Sequence, residues 1–491
     1  MKIFLINSGN DVDIGGIENA YPPLGIISLG SALESIFKSD IEVNLYDGQI
    51  DSLDYIVNEI RRQRPEMVGV SMYLTSTRNT INLILEAKAV GAITVLGNDH
   101  AIMHADLLMS KVPEIDYICL NDIGEETIVP LVGALLSRTP VDEVPKLKFR
   151  HGTAIFESLI NSMFKPGMSL DEIPIPNRLL LPEKYWSEYA RRFHQQKRRF
   201  KNFKGSERVS TINRARGCAQ KSSPCRYCGI IDLSIRYSSA DMFWKDVLAA
   251  RTQIGATVLY EAFDSASSAK AVLKRWLDGR PNNCDDIHFK VYAQAFESDE
   301  ERVSLFKNLG VFCVNMGLDS GDDYVLKLLK GSRHSLEQNK RACGLYTERE
   351  IEIYSSFVLF GLGNESKTRK SLDKTLEFVG WLATETSNVS FDCAPMSPDK
   401  SAPIGRLIWY PEEAPAVCKQ TGWDFLNLDL LNSASTRWKN EIFIDLVELC
   451  ADFAEICGVS ASVLDEYNTE IQALSKSAGL NFGRLQGGAA A

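Results

Sequence analysis

Short apolar runs alternate with stretches of helical periodicity along most of this 491-residue chain. A strand that is apolar along its whole length must be covered on both faces, and helices laid on a parallel sheet supply that cover. In residues 1–140 the runs are KIFLIN, IEVNLYD, MVGVSMY, AITVLG and IDYICLN. Helix-like stretches such as LGIISLGSALESIF, SLDYIVNEIRRQ and TINLILEAKAV lie between them. This order predicts a doubly wound α/β sheet, whose ligands bind beyond the carboxyl ends of the strands. The loops at those ends are YPPLG (Tyr21 to Gly25), YDGQ, SMYLTST, GNDHAIMH and NDIGEE. They carry the glycines and small polar residues of loops that approach a ligand closely.

The alternation returns over residues 208–404. Its strands are VSTINRARG, TVLYEAFD, IHFKVYAQA, VFCVNMGLDS, IYSSFVLFGLG and VSFDCAP, with helices such as AVLKRWLDG, ERVSLFKNLG, DYVLKLLKG and SLDKTLEFVGWLAT between. Strand–helix units in this number suit a partial (β/α)6 barrel with its site at the carboxyl-terminal rim. Residues 141–207 are punctuated by Pro145, Pro166, Pro174, Pro176 and Pro182 and read as a linker or wrap. Their end, RRFHQQKRRFKNFK (Arg191 to Lys204), is basic. A solvated helix face is the simpler reading, and a rim over an anionic ligand or RNA the other. Residues 405–491 turn mainly helical, with STRWKNEIFIDLVELCADFAEICG and then SASVLDEYNTEIQALSKSAG, and GGAAA reads as a flexible end. Trp409, Trp423 and Trp438 are expected to be core or cover rather than substrate-stacking.

Composition removes several classes. Hydrophobic residues make up 45% of the chain, which excludes disorder as its main state. The formal charge of 54 − 64 = −10 argues against a protein built to grip nucleic acid. No apolar run is long enough to span a membrane. The start, MKIFLINSGN, reads as a first buried strand and not as a signal peptide. Eleven cysteines are too few for a disulfide scaffold in a chain of this length. Cys119, Cys313, Cys343, Cys450 and Cys457 lie singly in apolar or helical patterns, as small hydrophobes do. A reducing, cytoplasmic setting is expected.

One cluster departs from that pattern. Cys218, Cys225 and Cys228 are spaced C-x6-C-x2-C directly after a strand. Three thiolates on one loop can hold three corners of a metal group. A structural zinc site wants a fourth ligand nearby, yet no Cys or His lies between Cys228 and Cys284. Three cysteines can also bind a cubane iron–sulfur cluster and leave one iron open. Spacing alone leaves iron–sulfur, zinc and chance as alternatives.

The segment resembles the cluster loop of the radical S-adenosylmethionine (radical SAM) superfamily. The family's usual first gap is three residues, where this chain has six, but the last pair and the aromatic Tyr227 before Cys228 match. Val314 to Gly321 (VNMGLDSG) resembles the family's G-I-E-S-G strand end, with Asp319 in place of Glu. Asp322 to Gly331 (DDYVLKLLKG), Phe360 to Ser366 (FGLGNES) and Asp392 to Ile404 (DCAPMSPDKSAPI) are similar to the motifs that follow it. The resemblance implies a [4Fe-4S] cluster on the three cysteines, whose open iron takes the amino and carboxylate groups of S-adenosylmethionine. It implies reductive cleavage of that cofactor to a 5′-deoxyadenosyl radical. The residues it points to for S-adenosylmethionine are Tyr227, Asp264, Ser265, Gln294, Asp319, Ser320 and Gly361. For Asp264, Gln294 and Ser320 a cap or turn role is the competing reading.

Residues 1–140 resemble the Rossmann-like cobalamin-binding domain that precedes the barrel in one subgroup. Tyr21 to Ile26 (YPPLGI) matches its P-P-L-G, Gly97 to His100 (GNDH) its G-G-x-H, and Gly124 to Thr127 (GEET) its G-E-x-E. The D-x-H-x-x-G signature of cobalt-ligating domains is missing, and Asp47-Gly48-Gln49 occupies the equivalent strand end. By this resemblance Pro23, Leu24, Gly25, Ser71, Leu74, Gly97, His100, Gly124 and Glu125 would face cobalamin. A histidine such as His100 or His104 after a strand is more often a hydrogen-bonded loop residue. The alternative for the domain is a scaffold that has lost its cofactor.

Together the motifs imply a cobalamin-dependent radical SAM enzyme, a methyltransferase acting on a carbon of a small metabolite or natural-product intermediate. Ring formation, rearrangement or oxidation is the alternative. Methylthiolation would want a second three-cysteine set in the first domain, where only Cys119 occurs. The family also implies an external electron donor such as flavodoxin or ferredoxin.

Overall fold

The computed structural model describes residues 1–11, 20–121, 123–158, 169–196, 200, 203–218, 225–230 and 235–477. Parts of the basic run (197–199, 201–202) and the GGAAA end lie outside them.

The first sheet begins with β1 (Lys2–Asn7), nearly all of it buried as its apolar run requires. β2 (Glu42–Asp47), β3 (Met67–Ser71), β4 (Ile93–Gly97) and β5 (Tyr117–Cys119) follow. The order is β2-β1-β3-β4-β5, all parallel. The chain reverses its winding between β1 and β3, which opens a crevice beyond their carboxyl ends. Register sets Asp47, Asn7, Ser71 and Gly97 abreast at that edge.

A hairpin of two strands and a helix in residues 141–207 have no apolar run to announce them. β6 (Leu147–His151) and β7 (Ala154–Glu157) extend the sheet beyond β5 as an antiparallel hairpin. β7 is exposed along its length, so it needs no hydrophobic pattern. The helix Glu183–Gln195 buries Tyr185, Trp186, Tyr189 and Phe193. Its Tyr189 hydroxyl donates to the Asp47 carboxylate of the first sheet. Phe193 and Phe203 meet Phe312 edge-on at 6.2 and 5.3 Å, plugging the amino end of the second sheet. On the same helix Arg191 and Arg192 share Glu188 as their ion-pair partner, and Arg192 also donates to Gln49 O at 2.8 Å.

The second sheet is a parallel, open barrel. β8 (Arg208–Ile212) is followed by a two-residue ladder of β9 (Ala215–Arg216) and β10 (Arg236–Tyr237). Then come β11 (Ala256–Glu261), β12 (His288–Tyr292), β13 (Val311–Asn315), β14 (Glu352–Leu359) and β15 (Val389–Pro395). The order β8-β11-β12-β13-β14-β15 follows the chain, and its first and last strands do not pair. The run VSTINRARG, expected as one strand, breaks after Ile212, because the cysteine loop leaves the sheet there.

The C-terminal region is helical. The run STRWKNEIFIDLVELCADFAEICG divides into helices ending at Trp438 and beginning at Leu446. Asp445 imposes the break, since its carboxylate caps the second helix by accepting from Val447 N at 2.9 Å and Glu448 N at 3.2 Å. Trp409, Trp423 and Trp438 are all buried.

A buried charge cluster joins the wrap to the barrel. Asp246 accepts from the Arg178 guanidinium at 2.8 Å and from Arg214 Nε at 2.8 Å, and all three side chains are at most 2% exposed. Asp246→Asn leaves two buried guanidiniums without their counter-charge. It is expected to lower stability by about 3–5 kcal/mol, measured by denaturant unfolding. An unchanged midpoint would show that the cluster is dispensable.

Candidate active site

The cysteine loop is held at both ends. At its base Glu261 Oε1 accepts from Arg214 N at 3.0 Å and Ala215 N at 3.2 Å. Gly217 then turns the chain at φ +87°, a conformation glycine takes without strain, and its N–H donates to Asp264 Oδ2 at 2.8 Å. Beyond the turn, Gln294 Nε2 lies 3.5 Å from Cys218 Sγ and donates to Ser265 Oγ at 3.1 Å. At the far end Arg226 N donates to Leu329 O at 2.8 Å, and Ile404 N to Arg226 O at 2.9 Å. The turn from Cys225 to Cys228 is closed by Cys228 N on Cys225 O at 3.2 Å. A Cβ on Gly229 would stand 2.3 Å from Ser401 Oγ, so the loop is pressed against the segment after β15.

Burial pushes the Cys225 thiol up to about 12 and raises Cys228 as well. Both sulfurs also feel the charge of Cys218, so the three share one neighbourhood. A bound metal group must displace these protons, since thiolates are the ligating form. Among the described residues no three His, Cys, Asp or Glu side chains stand in a ready-made single-ion site.

Cys218, Asp264, Ser265 and Gln294 thus gather at the rim after β8, β11 and β12. Tyr227 and Asp319 form a second group, in which the Tyr227 hydroxyl donates to Asp319 Oδ1 at 2.7 Å. Ser320 is turned away from them. Its hydroxyl lies 3.1 Å from Thr375 Oγ1 and accepts from Asp322 N at 3.1 Å, the turn role that competed with ligand binding. Gly361 is backed by the carbonyl of Cys457, which a Cβ would approach to 2.3 Å. It is a close-packing glycine.

A separate cavity of about 290 Å³ opens at the carboxyl edge of the first sheet. Leu24, Gly25, Ser71, Gly97, Gly124 and Glu125 line it. A Cβ at Gly25 would meet nothing within 4 Å, and one at Gly97 only Cys119 Cβ at 4.0 Å, so both glycines keep space open. Pro23 instead precedes the helix Leu24–Phe37, and Leu74 packs beside the C-terminal core. His100 is buried against His104, with ring centroids 4.5 Å apart, and His104 lies edge-on to Trp409. Burial lowers His100 to about 4 and His104 to about 2, so both are neutral imidazoles at pH 7. The carboxylate of Asp47 is engaged by Asn7, Gln49 and Tyr189.

The barrel side of this cavity escaped the sequence reading. Asn213, Arg214, Arg216 and Asp246 line it too. They lie in the run NRARG, just ahead of Cys218, and on the helix Ala240–Ile254 after it. Their charge gave no signal, because a buried arginine such as Arg214 reads as surface in sequence.

Two family descriptions match the chain. Residues 11–131 match the B12 binding domain, and residues 212–379 match the radical SAM superfamily. The chain belongs to the radical SAM superfamily, in the group that carries a B12 binding domain ahead of the barrel, and is a cobalamin-dependent radical SAM enzyme. These domains use a [4Fe-4S] cluster, S-adenosylmethionine and cobalamin.

Solved structures agree in fold. The radical S-adenosylmethionine methyltransferase TsrM from Kitasatospora setae, with cobalamin and a [4Fe-4S] cluster, is 17% identical with a TM-score of 0.63 over 84% of this chain and 75% of that one. The cobalamin-dependent S-adenosylmethionine radical enzyme OxsB, with aqua-cobalamin, is 18% identical with a TM-score of 0.59 over 85% of this chain and 56% of that one. No curated protein matches the sequence. No helix among the described residues is long and apolar enough to cross a membrane.

Proposed function

We propose that this protein transfers a methyl group to a carbon of a small metabolite, with the cluster on Cys218, Cys225 and Cys228 and cobalamin at the cavity of the first sheet. One observation carries the reading. The stretch Asn213 to Cys218 runs from the wall of that cavity to the first cluster ligand, so the two cofactor positions are neighbours. Bound there, the cluster with S-adenosylmethionine supplies radical hydrogen abstraction, and cobalamin supplies methyl transfer.

The chain's own residues do the rest. Gly25 and Gly97 leave room for part of the cofactor, and the cavity volume suits its nucleotide tail rather than the larger corrin ring. Asp264 and Gln294 fix the approach to Cys218. Inside the barrel the Lys290 ammonium lies 5.4 to 5.5 Å from the ring centres of Tyr21, Tyr260 and Tyr354. TsrM has also been solved with tryptophan as substrate, which supports a small-molecule reading. Electrons are expected from flavodoxin or ferredoxin.

Anaerobic reconstitution with iron, sulfide and hydroxocobalamin tests the assignment. About four irons and one cobalamin per chain are expected. With reductant and S-adenosylmethionine, S-adenosylhomocysteine beside 5′-deoxyadenosine supports methyl transfer. Deoxyadenosine alone favours ring formation, rearrangement or oxidation. An intact cluster with no retained cobalamin would leave the first domain a scaffold.

A further inference from the structure

Resting on the cluster assignment above, we propose that Lys330 is a positioning residue for the cluster. It locks the turn from Cys225 to Cys228 through Asp319 and Tyr227, and sets a fixed positive charge beside those two ligands. Lys330 ends the helix Asp323–Lys330. Its side chain is 6% exposed, and its ammonium lies 2.6 Å from Asp319 Oδ2 and donates to Gly317 O at 2.8 Å. Asp319 is itself 2% exposed at its side chain and stands in the left-handed region at φ +58°. A non-glycine residue keeps that conformation only where its surroundings hold it. Here its N–H donates to Ser356 O and its carbonyl accepts from Val358 N, both at 3.0 Å. Its free carboxylate oxygen receives the Tyr227 hydroxyl.

The helix end also grips the loop through its backbone, since Leu329 O accepts from Arg226 N. Side chain and main chain of two successive residues therefore hold both sides of one cysteine turn. An ion pair out of water is costly relative to an apolar pair of the same size, so stability does not account for it. Placement beside the cluster does. The Arg226 N–Leu329 O bond seats this helix end against the residue after Cys225, and the Tyr227–Asp319–Lys330 chain ties the ammonium to the residue before Cys228. Net charge near a cluster sets its reduction potential, and a positive charge favours the reduced form.

The test compares reconstituted wild type, Lys330→Met, Lys330→Arg and the double variant Lys330→Met with Asp319→Asn. Iron per chain and the EPR signal of the reduced cluster are read at one fixed reducing poise. Lys330→Met is expected to show a several-fold smaller reduced fraction and a changed line shape, with Lys330→Arg recovering most of both. If Lys330→Met does not fold, the double variant, which buries no unpaired charge, gives the same readout; because it removes one charge of each sign, a changed line shape and a smaller fall in the reduced fraction are expected. Iron loading and reduced fraction equal to wild type in the variant that folds would overturn the proposal and leave the cluster assignment standing. Failure of wild type to take up a four-iron cluster would overturn both.

Discussion

Cys225→Ala is expected to abolish 5′-deoxyadenosine formation from S-adenosylmethionine and to leave the fold intact. The thiol lies in a loop, and alanine there removes one sulfur atom while the backbone bonds of the turn stay in place, a change worth about 1 kcal/mol or less. The chemical effect is of another order. With two cysteines left, the cluster loses one of its three protein ligands, and the open iron that takes S-adenosylmethionine loses its setting. Circular dichroism and thermal unfolding should match wild type, while iron content and deoxyadenosine fall to background. A variant that still cleaves S-adenosylmethionine reductively would refute the ligand assignment.

Gly97→Leu should eliminate cobalamin retention without disturbing the cluster. Gly97 ends β4 in the row with Asn7 and Ser71, and its missing side chain borders the cavity. A Cβ there meets only Cys119 at 4.0 Å, and Gly97 is not among the residues with positive φ, so leucine strains nothing. Its remaining carbons enter the 290 Å³ space. Gly97→Ala, with one added carbon, should retain most of the cofactor. Absorbance after gel filtration reads cobalamin, and iron analysis of the same samples controls for the barrel. Full cobalamin binding by the leucine variant would place the cofactor elsewhere.

The two halves of the fold were legible in the sequence for different reasons. The helix LGIISLGSALESIF is Leu24–Phe37, and VSFDCAP is β15, residue for residue. Buried elements must be apolar in a fixed period, so pattern alone finds them. β7 and the helix Glu183–Gln195 were missed inside a proline-rich stretch. One is exposed along its length, and the other buries aromatics among charges. Asp445 broke an expected single helix because a capping carboxylate outweighs apolar periodicity at that point.

The site divides in the same way. Cysteine spacing and the order of the motifs pointed to three cofactors before any contact was known, because ligand chemistry demands particular residue types close together along the chain. Sequence could not separate Gln294, which reaches Cys218, from Ser320, which is spent on a turn. Both are polar residues at strand ends, and only the direction of the side chain distinguishes them. Nor could it show Lys330 paired with Asp319 under the cysteine turn, or Arg214 and Arg216 walling a cavity that belongs to the first sheet. By itself the sequence determined the parallel strands of the two sheets and the cofactor class, since these follow from local pattern and chemistry. Tertiary structure alone decided which polar groups gather at the rim and the cavity and which are spent on turns and ion pairs, because that depends on contacts between residues distant in the chain.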